Sequence, residues 1–355
     1  MRYINNRYLK IAFGTILSVL ITACSDWTDV ESIDINKPHI SETNPAEYAK
    51  YLENLRQYKN SDHNTVMVEF NNNNKIPTSR SQRVESIPDS VDIVLFTEPV
   101  LADWEISDII KVRKDKATEF MFTIDFDKIK YIYDLLVFDR DAILDGIGDD
   151  EEEPAPLPSF QTYLLDTMQS TIALVDKYQY DGVCFNYKGK STLHMTDEEV
   201  VEYTLYHNVF IGILKDWESR NANKKLLFSG MPQNLLDRSF LPLCHKIIIN
   251  CNEAIDASRL DYRVVSACAD EVPTDRFIVS AQTVSLDSSD PKTGYWADGV
   301  ELAVIGTAEW VAIDKSDYLV EGILITNVSN DYFNSERTYN SSRNAIDIIN
   351  PSIKN

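Results

Sequence analysis

The chain has 355 residues, a formal net charge of −22 at pH 7 and a sequence pI near 4.6. This excess of acidic residues excludes the basic face that nucleic-acid binding requires, and it disfavours polyanionic ligands. Neutral ligands are compatible with it. About 330 residues follow the leader described next, which is enough for one large domain or two ordinary ones.

The first 23 residues have the organisation of a lipoprotein signal peptide. Residues 1–10 carry Arg2, Arg7 and Lys10 but no acid, and residues 11–23 are an apolar run too short to span a bilayer. The run ends in LITAC at 20–24, which resembles a lipobox, so we expect cleavage before Cys24 and acylation of its thiol. An ordinary secretory signal with a chance cysteine is the alternative.

The residues after Cys24 are acidic and polar, with the sequence SDWTDVE at 25–31. They resemble the export tag that follows the lipidated cysteine in surface lipoproteins of glycan-foraging Gram-negative bacteria. A lipid anchor in the outer membrane and exposure at the cell surface are therefore expected, although a simple solvated tether fits the same residues. We expect a signal peptide at 1–23, a tether and helix at 24–62, and a folded domain at 63–355.

Short apolar runs then alternate with helical patterns along the rest of the chain. A helix is predicted at 44–59, where Tyr48, Tyr51, Leu52 and Leu55 share one face. Eight strands are predicted at 65–70, 90–97, 118–124, 180–187, 225–229, 246–251, 276–281 and 319–326. Further helices are predicted at 160–177, 197–220 and 338–349. This alternation indicates an α/β fold and, with eight strands, a single (β/α)8 TIM-type barrel. A doubly wound sheet is the rival, but no Gly-rich phosphate turn follows any strand.

An acidic run and four cysteines are interpreted as structural features. The run at 145–159 is acidic and then proline-rich, which is typical of a solvated surface loop. Cys184, Cys244, Cys251 and Cys268 lie in or beside apolar strands, where free buried thiols are as reasonable as disulfides. None of them has the spacing of a zinc site, so no metal and no cofactor are predicted.

The segment YDGVCFNYKG at 180–189 carries the strongest functional signal. It resembles the strand-four signature of glycoside hydrolase family 18, the chitinases and endo-β-N-acetylglucosaminidases. Asp181, Gly182, Val183 and Phe185 match that pattern. The chain is also similar to outer-membrane family 18 lipoproteins encoded beside glycan-import systems. The resemblance implies a barrel over about residues 63–350 with its site at the carboxyl ends of the strands.

The departures from the family pattern fall on its acidic positions. Where the enzymes have Asp, Asp and Glu, this chain has Cys184, Asn186 and Lys188. In the family, the Glu protonates the leaving oxygen and the neighbouring Asp orients the acetamido group that attacks the anomeric carbon. An ammonium donates protons poorly and opposes the positive charge that builds on the sugar, and Asn186 cannot balance that charge. The resemblance therefore implies a catalytically inactive barrel, a pseudoenzyme.

A sugar-shaped cleft without its acid can still bind. The residues predicted to contact a ligand are Asn186, Tyr187, Lys188, Gln233, Asn250, Asn252, Gln282 and Trp296. Weaker candidates at strand ends are the four asparagines at 71–74, Glu98, Asp125, Asp127, Asn234, Glu253, Asn327 and Asn330. Tyr295 and Trp104 are further stacking candidates. Amides and aromatic rings suit neutral sugars, which need fixed donors and acceptors more than charge.

Three functional hypotheses follow. The first is a surface lipoprotein that binds glycans containing N-acetylglucosamine, such as N-linked glycans, for a neighbouring importer complex. The second is an active glycosidase that uses another carboxylate, Glu253 or Asp181, as its acid. The third is a structural subunit of an outer-membrane complex.

Overall fold

A computed structural model describes residues 40–147, 153–297 and 299–351. Cys24, the tether and the acidic residues 149–152 lie outside these ranges. The chain divides into two compact units, one up to Lys50 and one from Tyr51 onward. Among the described residues, no helix combines the length and apolar character needed to cross a membrane.

The second unit contains a closed barrel of eight parallel strands in sequence order, so the predicted (β/α)8 fold is confirmed. The strands are β1 Thr65–Phe70, β2 Ile93–Phe96, β3 Glu119–Asp125, β4 Gly182–Tyr187, β5 Lys225–Gly230, β6 Lys246–Ile249, β7 Phe277–Gln282 and β8 Val320–Thr326. All eight lie at the predicted places with small shifts at their ends. They read as continuous apolar runs because a parallel sheet is buried on both faces.

Helices connect the strands. They are α1 Ile40–Thr43, α2 Pro45–Lys59, α3 Asp103–Lys116, α4 Phe126–Gly146, α5 Phe160–Ile172, α6 Leu174–Lys177, α7 Asp197–Arg220, α8 Ala257–Ala267, α9 Ala303–Val311 and α10 Asn340–Ile349. Short 3₁₀ helices occupy Arg80–Gln82, Val84–Ser86, Thr192–His194, Pro232–Asn234, Leu241–Leu243 and Val328–Phe333. The helix predicted at 160–177 is broken into α5 and α6 at Ala173, and α1, α3, α4, α8 and α9 were not predicted. Part of the predicted acidic loop, Asp145 and Gly146, belongs to α4.

Alternate strand residues face two different cores. The barrel interior is filled by a small cluster: Met67, Ile93, Leu95, Met121, Cys184, Leu227, Ile248, Ile278 and Leu324. A much larger cluster lies between the sheet and the helices. The interior cluster sits low in the barrel, and polar side chains of the same faces follow it toward the carboxyl ends of the strands.

The first and last strands close the barrel, and two asparagines fasten the closure. β1 pairs with β8 along Thr65–Val68. Just before β1, the backbone N–H of Asn64 donates to Oδ1 of Asn350 at 2.8 Å, and Nδ2 of Asn350 donates to the carbonyl oxygen of Asn64 at 2.8 Å. This clasp joins residues 286 positions apart in the chain.

The sequence left the state of the four later cysteines open, and all four are free thiols here. Burial raises the pKa of the Cys251 thiol to about 12, and it raises the pKa values of Cys184 and Cys244 as well. Such thiols are poor nucleophiles and metal ligands, so they act as small apolar core residues.

Candidate functional site

Strand β4 presents Cys184 and Asn186 to the barrel interior. Cys184 is fully buried within the interior cluster and pairs in register with Thr123 and Leu227. Asn186 lies one layer higher, 7% exposed, in register with Asp125 and Ser229. The period of two along a strand therefore places these side chains on the face that leads to the barrel mouth.

Asn186 is held by a carboxylate of the neighbouring strand. Its Nδ2 donates to Oδ2 of Asp125 at 2.9 Å. The other oxygen of Asp125 accepts the backbone N–H of Lys128 at 2.9 Å and so caps the start of α4. One carboxylate thus fixes the orientation of the Asn186 amide and the first turn of α4, and the Asn186 Oδ1 acceptor faces away from Asp125.

Lys188 stands at the end of β4 with an exposed side chain. Its backbone N–H donates to Oδ2 of Asp127 at 2.8 Å, and the N–H of Gly189 donates to the other oxygen at 3.2 Å. Burial raises the pKa of the Asp127 carboxyl, although these two hydrogen bonds and the Lys188 charge lower it. Asp127 therefore anchors the turn that carries Lys188.

Glu69 is a site residue that the sequence reasoning missed. It lies on β1 on the same face as Met67, and its carboxylate accepts the backbone N–H of Asn327. Burial raises the pKa of Glu69, and nearby Asp125 raises it further, whereas the Lys188 charge lowers it. Glu69, Asp125 and Lys188 all lie at or just after the carboxyl ends of strands β1, β3 and β4, so they share the barrel mouth. The sequence signal was one acid inside an otherwise apolar strand.

Polar side-chain atoms that are buried but lack a hydrogen-bond partner gather after the carboxyl ends of the strands. Among the described residues they include Thr97 Oγ1, Gln233 Oε1, Asn252 Oδ1, Trp296 Nε1 and Ser329 Oγ, from the connections after β2, β5, β6, β7 and β8. Buried polar atoms without partners are costly, by roughly 1–3 kcal/mol each, and so are rare in native proteins. Two further atoms of this kind, the Tyr187 hydroxyl and Trp217 Nε1, lie in the core outside the barrel, and all of these atoms are closed to solvent in this structure.

The structure corrects the prediction that Tyr187 contacts a ligand. The Tyr187 side chain lies on the face of β4 that points away from the barrel mouth. The ring is fully buried outside the barrel, with ring centroids 5.1 Å from Phe126, 5.1 Å from His207 and 5.7 Å from Phe210. Its hydroxyl is buried without a partner. Tyr187 is therefore a core residue behind the site.

The predicted amides divide into two groups. Gln233, Asn250 and Asn252 remain at the mouth end, and Gln282 donates from Nε2 to the Asn252 carbonyl oxygen at 3.3 Å. Asn234, in contrast, is buried and donates to the Lys188 carbonyl oxygen at 2.7 Å. Structural uses also occupy Asn71, Asn72 and Asn74, which bond to nearby backbone groups, and Asn330, which donates to the Val284 carbonyl oxygen.

The predicted stacking residues are engaged with the protein. Trp104 donates from Nε1 to the Lys75 carbonyl oxygen at 2.9 Å, with the Arg83 guanidinium 5.2 Å from its ring centre. Trp296 lies against Gly306 of α9, where an added Cβ would meet its ring at 2.5 Å. Tyr295 forms an isolated antiparallel bridge with Leu302. The Nε1 of Trp296 is buried without a hydrogen-bond partner.

Neither of the two alternative acids has the surroundings of a catalytic acid. Asp181 precedes β4 at the opposite end of the barrel, where Oδ2 accepts the backbone N–H of Phe120 and pairs with Arg113, both at 2.8 Å. This is a structural role, and the hypothesis that Asp181 is a catalytic acid is wrong. The Glu253 side chain is 80% exposed and pairs with Arg263 at 3.1 Å. It lacks the desolvated surroundings that tune a catalytic carboxyl.

No group of three or more His, Cys, Asp and Glu side chains is placed to hold a metal ion within the described ranges. Among the described residues, the mouth offers the ammonium of Lys188, the carboxylates of Glu69 and Asp125, and the amide of Asn186. This set can bind hydroxyl and amide groups through hydrogen bonds.

Comparisons with known proteins agree with this architecture. A family model described as glycoside hydrolase family 18, BT1044-like, matches residues 28–348. A solved structure of BT1044, a selenomethionine glutamate-to-glutamine variant, is similar at 16% identity, with 88% of this chain and 95% of that chain covered and a TM-score of 0.58. A chitinase from Bacteroides thetaiotaomicron is similar at 9% identity, with 81% and 96% covered and a TM-score of 0.51. No curated protein sequence matches the chain.

Proposed function

The chain belongs to glycoside hydrolase family 18, BT1044-like, and from this premise we propose that it is a glycan-binding surface lipoprotein whose barrel no longer hydrolyses glycans. The proposal has two parts, retained binding at the barrel mouth and lost acid catalysis on β4. Each part is supported by different residues.

The observation that carries the binding function is the set of polar side chains at the mouth. The Asn186 amide is fixed by Asp125, and the Lys188 side chain is exposed at the end of β4. Glu69 lies on the same interior face of the barrel. Sugar hydroxyl and amide groups can exchange hydrogen bonds with these side chains, so a neutral glycan can bind here without a catalytic acid.

Loss of hydrolysis is supported by the residues of β4. Lys188 replaces the family's proton donor, and its charge opposes the cation that develops on the sugar ring. At ~4 Å and an effective dielectric of ~20, a pair of unit charges is worth about 4 kcal/mol. Repulsion in place of attraction would therefore slow the reaction by several decades. Asn186 is held by Asp125 and can still bond to an acetamido group.

The expected ligand follows from the family and from the local chemistry. Family kinship favours a glycan that contains N-acetylglucosamine, such as an N-linked glycan, and the strongly acidic chain favours a neutral one. Acylation at Cys24 would tether the protein to the outer membrane, facing the medium. A tethered binder raises the local concentration of its ligand for an adjacent importer.

The test is to incubate the mature protein with defined N-glycans and chitooligosaccharides, with calorimetry for binding and mass spectrometry for products. We expect binding without product. The triple variant Cys184→Asp, Asn186→Asp, Lys188→Glu restores the family pattern, and we expect it to gain hydrolysis. Turnover by the natural chain would contradict the pseudoenzyme proposal, and silence in both assays across a broad glycan panel would favour a structural subunit.

One observation favours a second candidate, an active glycosidase with Glu69 as its acid. A carboxyl with a raised pKa inside the mouth has the property that general acids require. Glu69→Gln distinguishes the two functions. If the protein is an enzyme with Glu69 as its acid, the variant should lose the turnover that the natural protein shows. If the protein only binds glycans, neither the natural protein nor the variant should show turnover. Glu253→Gln, on the exposed loop after β6, is the matched control and should change nothing.

A further inference from the structure

A second cavity lies at the end of the barrel opposite the mouth, where the strands begin. This floor cavity has a volume of about 390 Å³, and its charged or titratable lining includes Lys59, Asp92, Glu119, Lys225, His245 and Lys246. Ile93 and Leu227 also line it, and both belong to the interior cluster. Packed apolar side chains therefore separate the floor cavity from the candidate site at the mouth.

Three ammonium groups reach the floor cavity from three segments of the chain. Lys225 and Lys246 are the first residues of β5 and β6, and they share strand faces with Leu227 and Ile248 of the interior cluster. Both lysines therefore lie on the interior face of the barrel. Lys59, the last residue of α2, also lines the cavity. Like charges gathered in one cavity repel one another, so an anion between them is favourable.

The two strand lysines are paired with carboxylates but retain free hydrogen-bond donors. Lys225 Nζ donates to Oε1 and Oε2 of Glu119 at 2.8 and 2.6 Å. Lys246 Nζ donates to Oε2 of Glu321. An ammonium has three N–H donors, so within the described ranges these bonds leave one donor on Lys225 and two on Lys246.

Lys59 has only neutral acceptors for its hydrogen bonds. Its ammonium donates to the Val91 carbonyl oxygen and, at 2.8 Å, to Thr118 Oγ1, which leaves a third N–H. Burial lowers the pKa of this ammonium to about 8, although the Asp92 charge raises it. The protein therefore compensates the charged form incompletely, and an anion beside Lys59 would stabilise it.

The two carboxylates in the cavity wall have partners of their own. Asp92 accepts the backbone N–H of Val66 at 2.8 Å through Oδ2, and its Oδ1 lies 3.2 Å from Nε2 of His63. The hydrogen bond with Asp92 raises the pKa of His63, which favours the cationic form of that ring. Glu119 is paired with Lys225. An anion in the cavity would therefore meet carboxylates that are already held by donors.

We propose that the floor cavity is a second binding site, for a small molecule that carries a phosphate group. Lysine binds phosphate as a point charge, and the three terminal oxygens of a phosphate group can each accept from one ammonium. A carboxylate has only two oxygens for the three ammonium groups. The cavity volume falls within the range of about 300–1,000 Å³ that small-molecule sites occupy. The site is independent of glycan binding at the mouth.

The charge of the chain favours a small soluble phosphate compound over the headgroup of a membrane lipid. The chain has a net charge of −22, so its acidic surface as a whole opposes close approach to a membrane that carries phosphate groups. A small compound in the cavity is subject mainly to the nearest charges, because salt screens the interactions of exposed charges beyond about 8 Å.

The experiment measures binding of inorganic phosphate and of glycerol 3-phosphate to the mature protein by calorimetry at about pH 7. We expect one site for each compound. Lys59→Gln and Lys246→Gln should each weaken phosphate binding at least about tenfold, because each removes a charged donor, and should leave chitobiose binding unchanged. Lys246→Arg keeps the charge and should retain phosphate binding. Lys114→Gln, on the exposed face of α3, is the control and should change neither affinity.

Urea unfolding of each variant shows whether a loss of binding reflects a loss of fold. If the natural protein binds neither phosphate compound, the floor site is wrong while the proposed glycan function stands. If folded Lys59→Gln and Lys246→Gln bind phosphate as tightly as the natural protein, phosphate binds elsewhere and the floor site is again wrong. Binding to phosphatidylglycerol vesicles without binding to either soluble compound would overturn the choice of a small molecule.

Discussion

Asn186 donates to Asp125 across adjacent strands at 2.9 Å, and through that carboxylate the end of β4 is coupled to the first turn of α4. A neutral amide beside Asp125 forms a donor–acceptor pair that needs no extra proton. The same position occupied by a second carboxylate would need one.

Asn186→Asp alone should make stability depend on pH. Two carboxylates at this separation share a proton, so the pKa of the pair rises above the unfolded value of about 4. The folded state then binds more protons than the unfolded state, and stability falls as pH rises from about 4 through the raised pKa. We expect a loss of about 3 kcal/mol at neutral pH, measured by urea unfolding. Asn186→Ser is the control, and equal stabilities of Asn186→Asp at about pH 5 and about pH 8 would contradict the prediction.

Lys59 should make the stability of the natural protein rise with pH under alkaline conditions, opposite to the effect expected for Asn186→Asp. Burial lowers the pKa of its ammonium from 10.5 to about 8, although the Asp92 charge raises it. The ammonium donates to the Val91 carbonyl oxygen and, at 2.8 Å, to Thr118 Oγ1. Between pH 8 and 10.5 the unfolded state binds the extra proton, so stability rises with pH across that window.

The measurement for Lys59 is the free energy of unfolding of the natural protein minus that of Lys59→Met. This difference should increase by up to about 3 kcal/mol from about pH 8 to about pH 10.5, because each unit of pKa shift is worth about 1.4 kcal/mol. Tyrosine ionisation is common to both proteins and cancels. Exposed Lys114, changed to Met, is the control, and a flat or falling difference for Lys59 would refute the assignment.

Gly182 should tolerate no side chain. A Cβ at this position would lie 2.1 Å from the backbone carbonyl oxygen of Lys225 on the paired strand β5. Backbone atoms of a closed barrel cannot move aside cheaply, so Gly182→Ala should cost about 3 kcal/mol or more. Gly212→Ala, in helix α7 with nothing within 4 Å of the added Cβ, should instead gain about 0.5–1 kcal/mol. Chemical denaturation of both variants checks the contrast.

Tyr187→Phe should leave glycan binding unchanged and should not destabilise the barrel. The hydroxyl is buried without a partner, so its removal relieves a desolvated polar group and should gain up to about 1 kcal/mol. Tyr187→Ala removes the whole buried ring and should cost about 3–5 kcal/mol. A weakened chitobiose affinity in Tyr187→Phe would show that the hydroxyl does reach the ligand.

Most of the barrel could be predicted because its strands are buried on both faces and therefore stand out as eight apolar runs. Helix α4 could not, since its apolar residues, such as Tyr131 and Ile132, lie on two faces and face solvent rather than one core. A periodicity search detects the side that a helix buries, and α4 buries only its first turn.

The side of β4 that each side chain faces could be predicted wherever strand alternation was applied. The period of two correctly sent Cys184 and Asn186 inward, and the same rule places Tyr187 outward. Glu69 was overlooked because its strand was treated as an apolar run, although one acid on the interior face of β1 was visible in the sequence. Some amide side chains at the strand ends, such as Asn252, have an atom without a hydrogen-bond partner. Which amides do so depends on contacts within the loops, and the spacing of residues in the sequence does not reveal these contacts.

The hydrogen bonds between Asn64 and Asn350 imply that the barrel closes late in folding. β1 lacks one of its two neighbours until β8 and α10 are available, and the residues that fasten the seam lie at the two extremes of the barrel sequence. Contacts of such separation form slowly because a long loop must close first. A polypeptide still being synthesised would keep an unpaired edge on β1. The protein should therefore become able to bind its ligand only after α10 has left the ribosome.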